Sequence, residues 1–340
     1  LNHNSVDNST WANTPYILGE TLKSDVAEVE NVTHQYNIGD YSIEKGTDFI
    51  KESAMLCTDA SFFDIFGVKI LQGSLENFDS DASVILLSKK IADKYFDDGS
   101  AAGRVIKIKT AAGETSMTVA GVFEDVQKNS SITPSAIVNS DFGMKHLAAT
   151  VISNSQIRLN ELNFKEDWKY GQFVTNYILL KKGASVKNLE AKLKQIGEAH
   201  SADYDKMSLS LQPLRDIYFR SGRMTDNNSG DLGNKPMLIV LASVGFLILI
   251  IASVNYINLT SAQALTYTRS IAVRRVCGAP RLALTGQVMM ESVIISLIAL
   301  PFALLLTHFS LPFISHTLGK SYQLSLGYRV FASMGVLILI

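Results

Sequence analysis

Apolar and polar positions divide the chain into two unlike halves. Residues 237–254 form an apolar stretch inside a longer run that carries no charged side chain. At about 1.5 Å per residue the stretch covers about 27 Å, close to the bilayer hydrocarbon thickness of about 30 Å. A second apolar run covers residues 284–309, and a third, over 330–340, reaches the last residue. The pattern predicts a membrane region at 236–340 after a water-soluble domain at 1–235, the N-terminal domain.

Within the N-terminal domain, helical and strand periodicities alternate, which predicts an α+β fold. Residues 84–87 have the composition of a strand, Ser88 is placed to cap a following helix, and two strands follow around a turn at 111–114. This unit, residues 79–125, is self-contained enough to be an inserted α/β subdomain. The expected fold class is therefore an α+β extracytoplasmic domain followed by transmembrane α-helices.

Two short helices have end signals in their own sequences. Thr58 or Asp59 is expected to cap the helix at 61–66, which Gly67 can end in the left-handed conformation. Ser185 is expected to cap an amphipathic helix with a leucine stripe on its buried side. These signals are local, so they predict where helices start and stop rather than how they pack.

Short loops set the orientation of the membrane region. The connection after the first apolar run contains four arginines and no acid, which places it in the cytosol by the positive-inside rule. These are Arg269, Arg274, Arg275 and Arg281. The N-terminal domain is therefore expected outside the cytosol, joined to the membrane by the polar, glycine-rich tract 221–235. The predicted segments are spans at about 236–259 and 284–309, a cytosolic coupling segment at 260–283, an outer loop at 310–328 and a truncated span at 329–340.

The two ends of the sequence are typical of a fragment. The chain begins without Met, and it stops inside an apolar run too short to cross a bilayer. A domain outside the cytosol also needs an export signal, and the first ten residues do not resemble one. We therefore expect a further membrane helix before Leu1.

Composition and spacing argue against several classes of function. The formal net charge of −1 gives no reason to expect nucleic acid, and the two cysteines fall on opposite sides of the first span, so no disulfide is implied. The six histidines show no metal-ligand spacing, and no nucleophile motif is found. Gly319, Lys320 and Ser321 match only the tail of a phosphate loop, because Ile314 stands where its first glycine is required. We expect a non-catalytic chain with no cofactor.

The basic connection is the strongest candidate for a functional site. Helix-forming residues run from the first span through Arg275, Gly278 can end that helix, and Pro280 can begin the next. The cationic helix is either a topology signal that contacts lipid headgroups or a docking element for a cytosolic partner. Glu291, inside the second span, either pairs with a loop arginine or acts in transport. The three phenylalanines at 62–66 are a core cluster or a ligand platform, and helical spacing favours the core.

Motifs in both halves resemble the MacB-like and FtsX-like permeases of ABC transporters. Residues 271–279 read Ile-Ala-Val-Arg-Arg-Val-Cys-Gly-Ala, and Gln287 and Glu291 follow in the order and spacing of that family. Ser270 departs from the pattern, because the family usually has a glutamate there. Four segments of the N-terminal domain follow the order of the family's periplasmic core domain, and one segment is similar to its Bacteroidetes branch. The four are 61–73, 83–96, 119–125 and 211–219, and the branch-like segment is 255–259.

The resemblance implies a permease with four membrane helices in the bacterial inner membrane, with a porter-like domain in the periplasm. Its expected partners are a cytosolic ABC ATPase on a separate chain or domain, a second permease in a homo- or heterodimer, and membrane lipid. A periplasmic adaptor, a lipoprotein or a cell-wall hydrolase is a further expected partner. The ATPase-coupling residues implied are Arg269, Ile271, Val273, Arg274, Arg275, Gly278 and Ala279.

Three functions stay open at the level of sequence. The leading one is a permease that transmits ATP-driven movement to the N-terminal domain for export or mechanotransmission. The second is a regulatory membrane scaffold that activates a cell-wall hydrolase. The third is a membrane-bound sensor, which is disfavoured because sensors normally continue into a long cytosolic output domain.

Overall fold

The computed structural model of the chain describes residues 2–4, 10–96, 99–127, 130–152, 163, 165–168, 173–200, 207–220, 233–278 and 280–318. The chain divides into two compact units, Leu1–Ile239 and Val240–Ile340, and each is described by itself below. The predicted linker at 221–235 and the predicted span at 329–340 lie mostly or wholly outside the described residues.

Strands and short helices alternate through the first unit, as the periodicities predict. The strands are β1 Asn2–Asn4, β2 Thr10–Trp11, β3 Val29–Lys45, β4 Asp48–Cys57, β5 Ile70–Gly73, β6 Val84–Ser88, β7 Val105–Thr110, β8 Gly113–Phe123, β9 Ala136–Val138, β10 Thr175–Leu180 and β11 Met207–Leu209. The helices are α1 Tyr16–Asp25, α2 Ser61–Phe66, α3 Lys89–Tyr95, α4 Ser140–Ile152, α5 Val186–Ala199 and α6 Leu214–Arg220. The fold of this unit is therefore of mixed α/β content.

Most of the strands belong to one mixed sheet of eight strands. Its main path runs β10-β3-β4-β9-β6-β8-β5, and β7 pairs with both β3 and β8. The β4–β9 and β6–β8 pairs are parallel, whereas the other pairs of this sheet are antiparallel. A smaller sheet has the order β11-β1-β2. Chain segments far apart in sequence thus meet at the centre of the large sheet.

The centre of the large sheet is covered on both faces. In β6, Ile85 and Leu87 pack into one apolar cluster with α3 and α4, while Leu86 packs into another with the phenylalanines of α2. Successive side chains of a strand point to opposite faces, so a strand buried on both sides is a continuous apolar run. This explains why residues 84–87 carry no alternating polar positions. A third cluster lies between α1, α5 and the first part of β3.

The segment 79–125 is not set apart from the rest of the domain. Its strand β6 pairs with β9, β7 pairs with β3, and β8 pairs with β5. The local pattern of strand, helix and hairpin expected from the sequence is present, but backbone hydrogen bonds join all three strands to the large sheet. These pairings are long-range, so the local periodicity did not reveal them.

The N-caps of three helices show which predictions depend on nearby residues and which depend on distant ones. Ser88 and Ser185 cap α3 and α5 through side-chain hydrogen bonds, as expected. The prediction for α2 was wrong, because its N-cap residue is Ala60 and no side chain of that residue caps the helix. Thr58 instead bonds Thr33, and Asp59 accepts from the backbone N–H of His34. The end of α2 at Gly67, in the left-handed conformation, agrees with the prediction.

Two long helices follow, α7 Lys235–Val276 and α8 Arg281–Leu318. Within them, Lys235–Gln263 and Thr285–Ile314 are long and apolar enough to cross a membrane. Helix α8 continues through Pro301 and Pro312. Residues 310–318, which the sequence places in an outer loop, are therefore helical, because the polar residues there do not break the backbone hydrogen-bond pattern.

Candidate functional site at the junction of the long helices

The junction between α7 and α8 is a tight turn built from two helix-end signals. Gly278 has a φ of 88°, which a residue with a side chain rarely adopts, and its N–H donates to the carbonyl of Arg275 at 3.1 Å. Pro280 precedes the first residue of α8, where its missing N–H is no loss. The turn therefore stops one helix and starts the next within a few residues, as the sequence predicts.

The last turns of α7 combine arginines with exposed apolar side chains. Thr268, Ile271, Ala272, Arg275 and Val276 line a shallow concavity. Val273 is exposed to 60% and Val276 to 90%, so these side chains have little cover among the described residues. Aliphatic and arginine side chains together are suited to a mixed apolar and charged contact with another molecule.

One of the predicted coupling residues, Arg274, contacts the next helix directly. Arg274 donates from Nη1 to Oε1 of Gln287 at 2.8 Å, which joins the end of α7 to the first turns of α8. Glu291 lies one helical turn after Gln287 and makes no ion pair within 4 Å among the described side chains. The described partner of Arg274 is thus an amide rather than the carboxylate that the sequence offered as one alternative.

The structure describes the other predicted coupling residues only in part. Arg269 lies on α7, but nothing is described of its side chain or of Ser270, and Ala279 lies outside the described residues. Ile271 and Arg275 line the same concavity. A second polar contact joins the long helices further along, where Tyr256 Oη and Ser292 Oγ are 2.7 Å apart. Hydrogen bonds between helices hold one helix pair in register where lipid offers no polar partner.

The two cysteines differ sharply in their surroundings. Cys57 is buried at the end of β4, and burial raises the pKa of its thiol to about 12. Cys277 is exposed in the turn after α7. Thiolates rather than thiols react with alkylating reagents, so Cys57 is expected to be inert at neutral pH. Of the two cysteines in this sequence, Cys277 is the accessible one, and it lies within the candidate site.

A buried polar network in the N-terminal domain was not foreseen. His34 is 3% exposed and stacks on Tyr16, with its Nδ1 2.5 Å from Oδ1 of Asn176 and its Nε2 2.9 Å from Oε1 of Glu20. Asn176 uses its amide N–H groups on Thr14 and on a backbone carbonyl, which fixes its oxygen toward the histidine. The hydrogen bond from His34 is the main cause that lowers the pKa of Glu20. The partners of His34 are too distant along the chain to be identified from the sequence.

His146 is a buried histidine in a contrasting environment. It is 5% exposed, and neither ring nitrogen has a hydrogen-bond partner in the described part of the chain. Its ring lies near those of Tyr36 and Phe142. Burial lowers the pKa of His146 below its ordinary value of 6.5, because the charged form loses its hydration.

This depressed pKa predicts a pH dependence of stability. Above pH 6.5 His146 is neutral in the folded and the unfolded chain, so its full contribution to the free energy of unfolding is present. Below pH 6.5 the unfolded chain takes up a proton that the folded chain binds more weakly, so the free energy of unfolding falls. The loss is about 1.4 kcal/mol for each unit by which the pKa differs between the folded and the unfolded chain, and His146→Met should remove it. Urea denaturation at several pH values measures it. An unchanged slope below pH 6.5 in the variant contradicts the prediction.

Comparisons with known proteins agree with this architecture. Residues 2–196 match the family model of the MacB-like periplasmic core domain, and residues 242–340 match that of the FtsX-like permease C-terminal region. Macrolide export ATP-binding/permease protein MacB of Neisseria gonorrhoeae is 23% identical over 242 residues, which are 70% of this chain and 32% of that protein. The chain thus spans about a third of the length of that relative.

Two solved structures of bacterial proteins are similar to parts of this chain. A domain assigned to a permease protein from Porphyromonas gingivalis has 19% identity and a TM-score of 0.48, and the match covers 64% of this chain and 88% of that one. The periplasmic region of MacB from Actinobacillus actinomycetemcomitans has 16% identity and a TM-score of 0.38, with coverage of 61% and 84%.

The two family matches define a class of protein, a membrane permease with a periplasmic domain. The first match alone covers more than half of the chain. The chain belongs to the MacB-like and FtsX-like permeases of ABC transporters. The resemblance to this family is thereby confirmed, whereas the likeness of residues 255–259 to one of its branches stays a prediction. Permeases of this family typically work with a cytosolic ATPase.

Proposed function

We propose that the chain is a permease subunit that couples ATP hydrolysis by a cytosolic ABC ATPase to movement of its periplasmic domain, in the inner membrane and paired with a second permease. The observation that carries the proposal is the α7–α8 junction, where arginines and exposed aliphatic side chains share one helix end. Family membership supplies the expectation of an ATPase partner, and the junction supplies a surface suited to bind it. No catalytic step is assigned to this chain.

The chemistry of the junction favours docking over a pure topology signal. Contact with lipid headgroups requires cationic side chains only. Exposed Val273 and Val276 add aliphatic surface that would gain by burial against protein, at about 25 cal/mol per Å² of apolar area. Gly278 and Pro280 also fix the turn, so a partner that displaces it acts on α7 and α8 together.

Cys277 offers a direct test of orientation and docking. We expect a membrane-impermeant maleimide to label Cys277 in inverted membrane vesicles and not in intact spheroplasts, because the junction faces the cytosol and Cys57 is unreactive. Mass spectrometry of the labelled peptides gives the site, and Cys277→Ser should lose the signal. Labelling of Cys277 in intact spheroplasts contradicts the orientation.

Docking is tested in the same vesicles. An ABC ATPase that co-purifies with the chain is co-expressed, and the labelling rate of Cys277 is measured with and without it. We expect a decrease of at least about tenfold in the complex, since an interface excludes reagent from its core. An unchanged labelling rate in a complex that co-purifies would place the ATPase contact elsewhere and leave the arginines as a topology signal.

Export and scaffold functions differ in what the periplasmic domain holds. Photocrosslinkers in the exposed part of the N-terminal domain, activated in living cells, identify that partner. A small molecule, peptide or lipoprotein supports export, whereas a cell-wall hydrolase supports the regulatory scaffold. If a partner is no longer crosslinked when ATP hydrolysis is blocked, the domain responds to the ATPase.

A further inference from the structure

Two asparagines lie inside the apolar part of α7. Asn255 and Asn258 are exposed, and neither side chain forms a hydrogen bond with any residue in the part of the chain that the structure describes. The charge-free run 236–268 has its midpoint at residue 252, so the two asparagines lie about 5 Å and about 9 Å beyond that midpoint along the helix. Both therefore fall within the hydrocarbon layer, whose half-thickness is about 15 Å.

The two carboxamides face away from α8. Tyr256 marks the side of α7 that contacts α8, because its Oη lies 2.7 Å from Oγ of Ser292. A helix rotates by about 100° per residue, so Asn255 lies about 100° from Tyr256 around the helix and Asn258 about 160° in the same direction. Lipid tails have no hydrogen-bonding group to offer, and an unpaired carboxamide in hydrocarbon is costly. Each carboxamide therefore needs a partner from a helix other than α8.

Asn255 and Asn258 are consecutive members of one stripe along α7, which we call the α7 seam. Its members follow one another at intervals of three and four residues, the 3.5-residue repeat of helices that pack side by side, and all of them are exposed. In order, they are Leu241, Val244, Ile248, Ile251, Asn255, Asn258 and Ala262. Apolar residues occur on every side of α7, so the asparagines single out this side. Polar members of such a repeat fix the register of the two helices.

The chemistry of the α7 seam fits a second copy of itself. Copies of one membrane protein are inserted in the same orientation, so two α7 helices related by a twofold axis along the membrane normal are parallel. Equivalent residues then meet at the same depth, Asn255 with Asn255 and Asn258 with Asn258. A carboxamide has both donor and acceptor groups, so it can pair with itself, which a charged side chain cannot do. The α7 seam has no charged member to oppose this contact.

We propose that the α7 seam binds the α7 seam of a second copy of this chain, with hydrogen bonds between the asparagine carboxamides holding the two helices in register. This inference rests on the pairing of permeases under the proposed function and deepens it, because it assigns both the partner and the contact surface. It does not depend on ATPase docking, since the contact lies inside the membrane and needs no nucleotide.

Cysteine crosslinking in native membranes tests which side of α7 meets a second copy. Asn255→Cys and Asn258→Cys are each introduced into the full chain with Cys277→Ser, and two differently tagged copies are co-expressed. Cys57 stays in place, because it is buried and its raised pKa keeps the thiol unreactive. We expect oxidation with copper phenanthroline to join the two tagged copies at either position, since a disulfide forms where two Cβ atoms approach to about 4 Å.

Ile257→Cys is the matched control for the crosslinking. Ile257 lies between the two asparagines in depth, its side chain is 59% exposed, and it is about 100° around the helix from Asn258 and farther from Asn255. A cysteine there is equally accessible to the oxidant but lies off the α7 seam. We expect at least about fivefold less product joining the two copies than at either asparagine position.

Removal of the carboxamides tests the hydrogen bonds themselves. The double variant Asn255→Leu, Asn258→Leu keeps α7 apolar enough to insert and removes both self-pairing groups. Energy transfer between copies labelled at Cys277, measured in liposomes over a range of protein-to-lipid ratios, gives the dissociation constant of the dimer. We expect it to rise about tenfold. Ser253→Ala should leave it unchanged, because the Ser253 hydroxyl already donates to the carbonyl of Leu249 in its own helix.

Three results would overturn the proposal. The first is crosslinking at Ile257→Cys as strong as at the asparagine positions, which indicates random collision. The second is no product between copies at either asparagine position, including the case in which a different membrane protein is crosslinked instead. The third is a double leucine variant that dimerises as tightly as the native chain. Copies that crosslink through the α7 seam but bind no ABC ATPase would uphold this proposal and contradict the coupling function, so the two can fail separately.

Discussion

Reversing the charges of Arg274 and Arg275 together is expected to separate the permease from its ATPase. The double variant Arg274→Glu, Arg275→Glu replaces two cations at the end of α7 with two acids, so any acidic surface of the partner meets repulsion instead of attraction. Loss of one buried, hydrogen-bonded charge pair costs about 2–5 kcal/mol, which at the lower limit is about 30-fold in affinity. Co-purification and substrate-stimulated ATPase activity measure the effect.

Single variants distinguish docking on the ATPase from a role of Arg274 in aligning α7 with α8. Gln287→Ala removes the hydrogen-bond partner of Arg274 and keeps both positive charges, whereas Arg275→Glu leaves the contact between Arg274 and Gln287 intact. Strong uncoupling by Arg275→Glu with little effect of Gln287→Ala indicates direct docking. Equal loss in Gln287→Ala would assign Arg274 to the alignment of α7 and α8. Normal co-purification and ATPase stimulation in the double variant contradict the docking proposal.

Gly73→Ala is expected to produce the largest loss of stability from a single methyl group. Gly73 ends β5 with a φ of 80°, and a Cβ there would lie 2.0 Å from the carbonyl oxygen of Ala120 and 2.6 Å from Cα of Gly121. Both atoms belong to the backbone of β8, so no side-chain rotation relieves the overlap. Strain in the left-handed region alone costs about 1–2 kcal/mol. With the steric overlap added, we expect the free energy of unfolding to fall by about 3 kcal/mol or more.

Gly46→Ala is the matched control for this variant. Gly46 has a φ of 68° in the turn between β3 and β4, but a Cβ there meets nothing within 4 Å. The free energy of unfolding of Gly46→Ala should therefore fall only by the backbone strain of about 1–2 kcal/mol. Both tryptophans, Trp11 and Trp168, lie in the N-terminal domain, so urea denaturation followed by fluorescence reports on that domain in the full chain. Equal losses in the two variants would contradict the steric argument.

Sequence patterns predicted features whose cause lies within a few residues. The caps at Ser88 and Ser185 and the helix end at Gly67 depend on hydrogen bonds or dihedral angles close by in the chain. The same holds for the junction at Gly278 and Pro280. Apolar length alone predicted the two long helices. Family motifs added the class of protein, which no periodicity could supply.

Features that depend on distant residues were not predictable. Asp59 does not cap α2, and its Oδ2 instead accepts from the backbone N–H of His34 on β3, a contact that only the long-range packing of α2 against β3 reveals. The parallel pairing of β4 with β9 likewise joins segments about 80 residues apart. Gln287 and Arg274 were both recognised as motif residues, but their hydrogen bond depends on how the turn folds back.

The long strand β3 determines how the N-terminal domain would resist a pulling force. Its 17 residues pair with β10, β4 and β7 in succession, so one strand joins the apolar cluster of α1 and α5 to the cluster beneath α3 and α4. Hydrogen bonds in antiparallel pairs run perpendicular to the strands. A pull along β3 loads them together in shear, whereas a pull across the sheet opens them one after another. The domain is therefore stiff along this strand and easier to peel apart across it.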